Sequence, residues 1–219
     1  MISDQATHPD RRGRRKAKTT EAILDAGERL FLTQGFQATT VEQLATEADV
    51  AVGTLYGHFG GKEGVYAALI DRALELDARY CDEAWDRAHD PVGRLLAIAD
   101  GYLRFAREHP GYLRLFRFPP EVGPSTGPTG VATARIADRV RSEIHRMTGA
   151  LREAIDEGAV RVIDPERAAM FLWAAWDGLI AAHLLPAGLG LTEDQFDELL
   201  ALGRETLARG LLNPEAVAS

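Results

Sequence analysis

The chain has 219 residues, is 46% apolar and 26% charged, and carries a net charge of -8, which suits one large domain, or a small domain plus a medium one, with a real core. The acidic balance argues against a surface that is cationic throughout. The single cysteine, Cys81, rules out an intrachain disulfide framework or a cysteine metal site and fits a reducing cytoplasm.

The charge is uneven. Residues 1–62 hold eight basic and eight acidic side chains, and six of the basic ones (Arg11, Arg12, Arg14, Arg15, Lys16, Lys18) lie within eight residues. The remainder holds 17 basic and 25 acidic side chains. A local basic cluster on an acidic protein marks one part that touches nucleic acid. The first 20 residues are polar, with no apolar signal segment. The apolar run 168–185 contains Asp177 and His183, which argues for a buried helix and against a membrane span. A cytoplasmic location with no membrane partner is the expectation.

Strand signals are absent and apolar residues recur at helical spacing, so the fold class expected is all-α, with about nine helices. The first helix is expected over Thr19–Thr33, on the stripe Ile23, Ala26, Gly27, Leu30 and Phe31, with Gly35 as its stop. Thr40 and Gln43 form a capping box that opens a short second helix, with Val41, Leu44, Ala45 and Ala48 on its apolar face. A short third helix follows at Val52–Phe59. The fourth starts at Lys62 and runs to about Ala88. Further helices are expected over Val92–Glu108, Gly111–Phe118, Ile136–Ile155, Pro165–Leu185 and Thr192–Leu211, with a Pro/Gly-rich loop at 119–130.

Two short helices joined by a tight turn read as a helix-turn-helix. The second must enter a major groove about 12 Å wide, so one face holds the core while the other meets DNA. In Thr40–Phe59, the residues Leu44, Ala45, Val50, Leu55 and Phe59 form the inward set. Ala51, Val52, Thr54, Tyr56, Gly57 and His58 are left for DNA.

The stretch GFQATTVEQLATEADVAVGTLYGHFGGKEGVYAALI resembles the DNA-binding domain of the TetR family of transcription regulators. Its Gly-Phe after helix one, Thr-Thr before helix two and Gly-Thr-Leu-Tyr-x-His-Phe in helix three carry the likeness over about residues 17–77. The resemblance implies a DNA-binding domain at 17–77 (motif 40–59), a disordered basic arm at 1–16 and a ligand-binding and dimerisation domain at 78–219. It implies phosphate-backbone contacts by Thr40, Tyr56, His58 and Lys62, and base reading by Thr54 and its neighbours. Positions 51, 52 and 57 depart from the family's more polar pattern. Ala51 and Val52 are therefore expected to read thymine methyl groups, with DNA shape supplying part of the specificity. The arm residues Arg11 to Lys18 are expected to follow the phosphates or enter the minor groove.

The helix at 165–185 is apolar almost all round and needs cover on every side. The final helix adds the stripe Phe196, Leu199, Leu200, Gly203, Leu207 and Leu211. The resemblance implies a homodimer through these last two helices (165–185 and 192–211), bound to a palindromic double-stranded operator and released by a small-molecule effector. The fourth helix is expected to carry that signal. Pocket candidates are Tyr102, Tyr112, Trp173, Trp176, Asp177 and His183, each of which also reads as core packing. Asp100 and Arg104 are expected to form a surface i, i+4 ion pair.

No catalytic residues, metal ligands or cofactor motif are expected: the six histidines at 8, 58, 89, 109, 145 and 183 form no i, i+4 pair. The glycines near 57–61 follow no strand, against a phosphate loop. Two other readings stand beside the regulator: an enzyme, and a scaffold that kept the fold but lost DNA recognition.

Overall fold

The computed structural model describes residues 11–117, 127–185 and 190–214. Among the described residues it has nine helices and no strand. These are α1 (Arg11–Gln34), α2 (Val41–Glu47), α3 (Val52–Phe59), α4 (Lys62–Arg87), α5 (Pro91–Glu108), α6 (Pro110–Arg117), α7 (Pro128–Asp156), α8 (Pro165–His183) and α9 (Glu193–Leu211). The helical expectation holds, and α3 has the bounds read from its sequence. Two boundaries move. The first helix begins at Arg11, not Thr19, so the described part of the expected arm is helix. Pro128 opens α7, inside the loop expected at 119–130, where its fixed φ is already helical. The rest of that loop, up to residue 126, lies outside the described residues, as do residues 1–10.

The chain packs as two units. The first runs to Arg72 and takes in Leu115–Ala134; the second holds Ala73–Arg114 and everything from Arg135 onward. The division passes through α4 between Arg72 and Ala73.

In the first unit, Ile23, Ala26, Phe31, Leu44, Leu55, Val65, Leu69 and Ile70 are buried. They come from one face each of α1 to α4. Gly27 is the contact point of α1 with α4: a Cβ there would stand 2.6 Å from Val65 Cγ1. Phe31, Phe36 and Tyr66 pack ring on ring at 5.3–6.4 Å, in the offset and edge arrangements that aromatic quadrupoles favour. The Tyr66 hydroxyl donates to the Leu115 carbonyl at 3.0 Å. Burial pushes its phenol up to about 12, so it stays a donor.

The second unit is built on Ile98 of α5, Met147, Leu151 and Ala154 of α7, Val160, and Ala169 and Leu172 of α8. Its helix starts follow local rules. The Asp90 carboxylate accepts from Gly93 N, that of Asp164 accepts from Glu166 N and Arg167 N, and Pro91 and Pro165 open the two helices. Thr192 and Gln195 form a reciprocal capping box at α9. Gly101 lets α5 approach α4, because a Cβ would lie 2.7 Å from the Tyr80 carbonyl. The expected Asp100–Arg104 pair is replaced by tertiary partners: Asp100 pairs with Arg204 and Arg104 with Glu83 at 3.6 Å.

Candidate nucleic-acid interface

The capping box at Thr40 is formed: its Oγ1 accepts from Gln43 N at 3.2 Å, and Gln43 Oε1 accepts from Thr40 N at 2.9 Å. The Thr40 side chain thus fixes the start of α2 as an acceptor, and its hydroxyl proton remains available to a phosphate. Between α2 and α3 the chain reverses through Asp49, whose φ of 53° lies in the left-handed region. Aspartate tolerates that region better than most residues; the sequence reading missed it because no glycine marks the position.

Helix α3 divides in part as expected, with Thr54 and His58 of the outward set half-buried. Leu55 is fully buried, and Val50 and Phe59 are half-buried beside it. Ala51, Val52, Gly53, Tyr56 and Gly57 are exposed, Tyr56 by 53%. Thr54 is half-buried, so of the three base-reading candidates Ala51 and Val52 stand furthest out. A Cβ built at Gly53 or Gly57 meets nothing within 4 Å. No protein neighbour forces glycine there, and the surface of α3 is left low.

His58 is tied inward, its Nδ1 3.0 Å from Thr20 Oγ1 of α1. This pins α1 to α3 two residues after Lys18. Arg11 to Lys18 are all exposed on the first turns of α1.

Lys62 is also tied to its own chain. Its ammonium donates to the carbonyls of Phe36 at 3.0 Å, Thr39 at 3.0 Å and Gln37 at 3.5 Å, and lies 4.5 Å from the Phe36 ring centroid. An ammonium has three donors, and all are used to lock the α1–α2 connection onto α4. Lys62→Met is therefore expected to lower the stability of the protein by about 1–3 kcal/mol. The slope of log affinity against log salt should stay unchanged. A slope shallower by about 0.9 in a mobility-shift titration, at unchanged stability, would restore the phosphate role.

In the second unit the pocket candidates separate. The Tyr102 hydroxyl donates to Asp177 Oδ1 at 3.2 Å, so these two meet. Tyr112 is buried and lies 5.9 Å from the His109 ring. Trp173 packs on the core of the unit. Trp176 lies over Gly203, 3.8 Å from where a Cβ would stand, and lines a separate apolar crevice of about 90 Å3 with Val92, Leu96, Leu172 and Leu207. Gly203 thus admits a tryptophan of its own chain. His183 is taken up by α9: its ring stacks on Phe196 at 4.5 Å and its Nε2 lies 3.2 Å from Glu193 Oε1.

Sequence reasoning missed a buried ion cluster. Arg139 Nε donates to Asp77 Oδ2 at 2.8 Å, and its Nη1 pairs with Glu143. Arg146 joins Glu143 at 3.2 Å to Asp82 at 2.6 Å. Burial raises the Asp77 and Glu143 carboxyls above their ordinary values, and the Arg139 charge opposes the rise. Burial likewise pushes the Cys81 thiol up, which leaves it a packing residue.

Among the described residues no helix is long and apolar enough to cross a membrane. A family model described as "Bacterial regulatory proteins, tetR family" matches residues 23–69. A second, "Tetracyclin repressor-like, C-terminal domain", matches residues 95–207. The chain is 27% identical over 161 residues to YhgD, an HTH-type transcriptional regulator of Bacillus subtilis, covering 72% of this chain and 80% of that one. It is 29% identical to the nucleoid occlusion factor SlmA of Photobacterium profundum, covering 68% and 72%. Among solved structures, SmeT in complex with triclosan superposes with a TM-score of 0.68 at 26% identity, covering 90% of this chain and 93% of SmeT. The two family matches fall on the helix-turn-helix unit and on most of the second half. The chain belongs to the TetR family of bacterial transcription regulators.

Proposed function

We propose that the chain is a ligand-responsive repressor that binds a palindromic operator as a homodimer, with α3 in the major groove. The observation that carries this is the two-sided character of α3. Its inner face is held by Leu55, the Thr20–His58 bond and the Lys62 clamp, while Ala51, Val52, Gly53, Tyr56 and Gly57 are presented outward. Ala51 and Val52 offer methyl groups to thymine, and Thr54 a hydroxyl. Thr40 and Tyr56 supply the backbone contacts, with His58 contributing through Nε2, the ring nitrogen that Thr20 does not hold. The glycines at 53 and 57 let the helix sit deep in the groove.

The basic cluster has a narrower role than an arm of extended chain. As a helix with side chains it is about 10–12 Å across, too wide for a minor groove of about 6 Å. Arg11 to Lys18 therefore follow the phosphates. Replacing Arg11, Arg12, Arg14 and Arg15 together by glutamine should flatten the slope of log affinity against log salt by about 0.9 for each phosphate no longer neutralised. An unchanged slope rules these phosphate partners out.

The dimer reading rests on the uncovered face of α8. Met170, Phe171 and Leu185 are 53%, 63% and 44% exposed, and Leu202 of α9 is 57% exposed. With Ala174 and Gly178, also exposed, Met170 makes an i, i+4, i+8 stripe of a kind that marks an interaction surface. A symmetric dimer presents such a patch to its own copy. Phe171→Glu is expected to yield monomers in sedimentation velocity and to lose tight operator binding. A dimer of unchanged affinity would place the interface elsewhere.

The effector reading is supported by the triclosan complex of SmeT. If an effector weakens operator binding, the operator must weaken effector binding by the same factor. A mobility-shift assay on the DNA upstream of the chain's own gene tests the whole reading. A shifted band that resists nonspecific competitor supports it; no sequence-selective shift favours a scaffold without DNA recognition.

A further inference from the structure

The buried cluster of α4 and α7 is not used by the DNA-binding face. Arg139 and Glu143 stand one turn apart on α7, paired through Nη1 and Oε1. Arg139 Nε is taken by Asp77, and Glu143 Oε1 is shared with Arg146. The other ends of both groups, Arg139 Nη2 and Glu143 Oε2, are buried and have no hydrogen-bond partner among the described residues. Glu143 as a whole is 7% exposed. Each orphaned atom is two bonds from the same ion pair, so a donor and an acceptor without partners belong to one small cluster.

Burying either atom unpaired is costly. A bound anion would satisfy Arg139 Nη2 and be repelled by Glu143 and Asp77. A bound cation would satisfy Glu143 Oε2 and face the guanidinium groups of Arg139 and Arg146. Only a neutral group that both donates and accepts pairs both atoms without bringing a charge. One turn further along the two helices stand the buried side chains Cys81 and Met147, which suit an apolar skeleton behind the polar group.

We propose that Arg139 Nη2 and Glu143 Oε2 form the polar subsite of the effector pocket and receive a neutral hydroxyl or carboxamide of a largely apolar molecule. This rests on the effector reading above and narrows it to a ligand class. The hydroxyl oxygen accepts from Arg139, and its proton is donated to Glu143 in a hydrogen bond. No covalent step is involved.

The test uses full-length protein and four probes on one skeleton: hexan-1-ol, hexanamide, hexanoate and hexylammonium, titrated calorimetrically. The alcohol and the amide are expected to bind at least about tenfold more tightly than either ion, as in sites built around a matched hydrogen-bonding pair. Glu143→Gln removes the anionic acceptor, so the alcohol-to-hexanoate ratio should fall by about tenfold. The wild-type series is decisive even if that variant fails to fold. Equal affinities, no binding of any probe, or a ratio unaffected in a folded Glu143→Gln protein would overturn the proposal and leave the two atoms to a structural water. Operator binding by the same preparation is read in parallel. Its loss counts against the regulator reading, and its presence with no discrimination among the probes counts against the subsite alone.

Discussion

Arg139→Met is expected to lower the stability of the protein by about 3–5 kcal/mol at neutral pH, the cost of removing one partner from a buried ionic pair. Its guanidinium side chain is 17% exposed and the Asp77 side chain 6%, so little water reaches the carboxylates left behind. Methionine fills a similar volume, which confines the loss to charge. The variant should also acquire a distinct pH dependence. Burial already raises Asp77 and Glu143 with the arginine present, and without it the rise is larger. A carboxyl whose folded-state value is raised contributes fully below its unfolded value, near pH 4, and that contribution is lost as pH rises through the folded value. Urea midpoints should therefore recover for Arg139→Met on going from pH 8 toward pH 5. A variant equally unstable at both pH values would show that packing, not charge, is at fault.

Gly64→Ala is the second large effect, and it bears on DNA binding. A Cβ at Gly64, in the first turn of α4, would overlap the Phe59 carbonyl and its carbon. Those are backbone atoms at the end of α3, so no rotamer change relieves the clash. Either α4 or the end of α3 must shift. Overpacking of this kind costs about 1–3 kcal/mol, and occasionally more. Because Phe59 ends the helix proposed to enter the groove, operator affinity should fall by about tenfold for each 1.4 kcal/mol taken from the bound geometry. Wild-type operator affinity in this variant would show that the α3–α4 junction adjusts freely.

Features that depend on near neighbours in the chain were legible in the sequence. Thr40 and Gln43 are three residues apart, and their capping box forms as expected. The bounds of α3 follow from apolar spacing and the glycines at its end; of its expected outward residues, Ala51, Val52, Tyr56 and Gly57 are exposed while Thr54 and His58 are half-buried. Features made by distant partners were not legible. Asp77 and Arg139 are separated by 62 positions, so neither shows in the sequence that it is one half of a buried pair. Lys62 carries the family pattern of a phosphate contact, yet a turn 23–26 residues earlier claims its three protons. Asp100 and Arg104 satisfy a helical ion-pair rule and are drawn off to Arg204 and Glu83, since exposed i, i+4 pairs are worth only about 0.2–0.5 kcal/mol. The N-terminal turns of α1 escaped because RRGRRKAK has no apolar periodicity to betray a helix. The pocket candidates, chosen as aromatic and polar residues on central helices, scattered: Tyr102 and Asp177 meet, but Trp176 and His183 are held by α9.

The proposed regulation needs no catalytic step. The buried cluster joins α4 to α7 within the second unit, and α4 continues as one helix into the unit that carries α3. In the proposed regulator, an effector that rearranges the Arg139–Glu143 pair would act on the helix on which Gly64 and Lys62 position the helix-turn-helix. Only a difference in affinity between two states shifts their populations, so the proposal requires an effector that binds the operator-free form more tightly.

The most direct measurement is selection of fragmented genomic DNA by the full-length protein, followed by footprinting of the enriched site. The prediction is a single palindromic motif with two protected half-sites. Their centres should lie about 34–36 Å apart or a multiple of it, one α3 per half-site. Protection without a shared motif, or a motif with one half-site bound by a monomer, would contradict it.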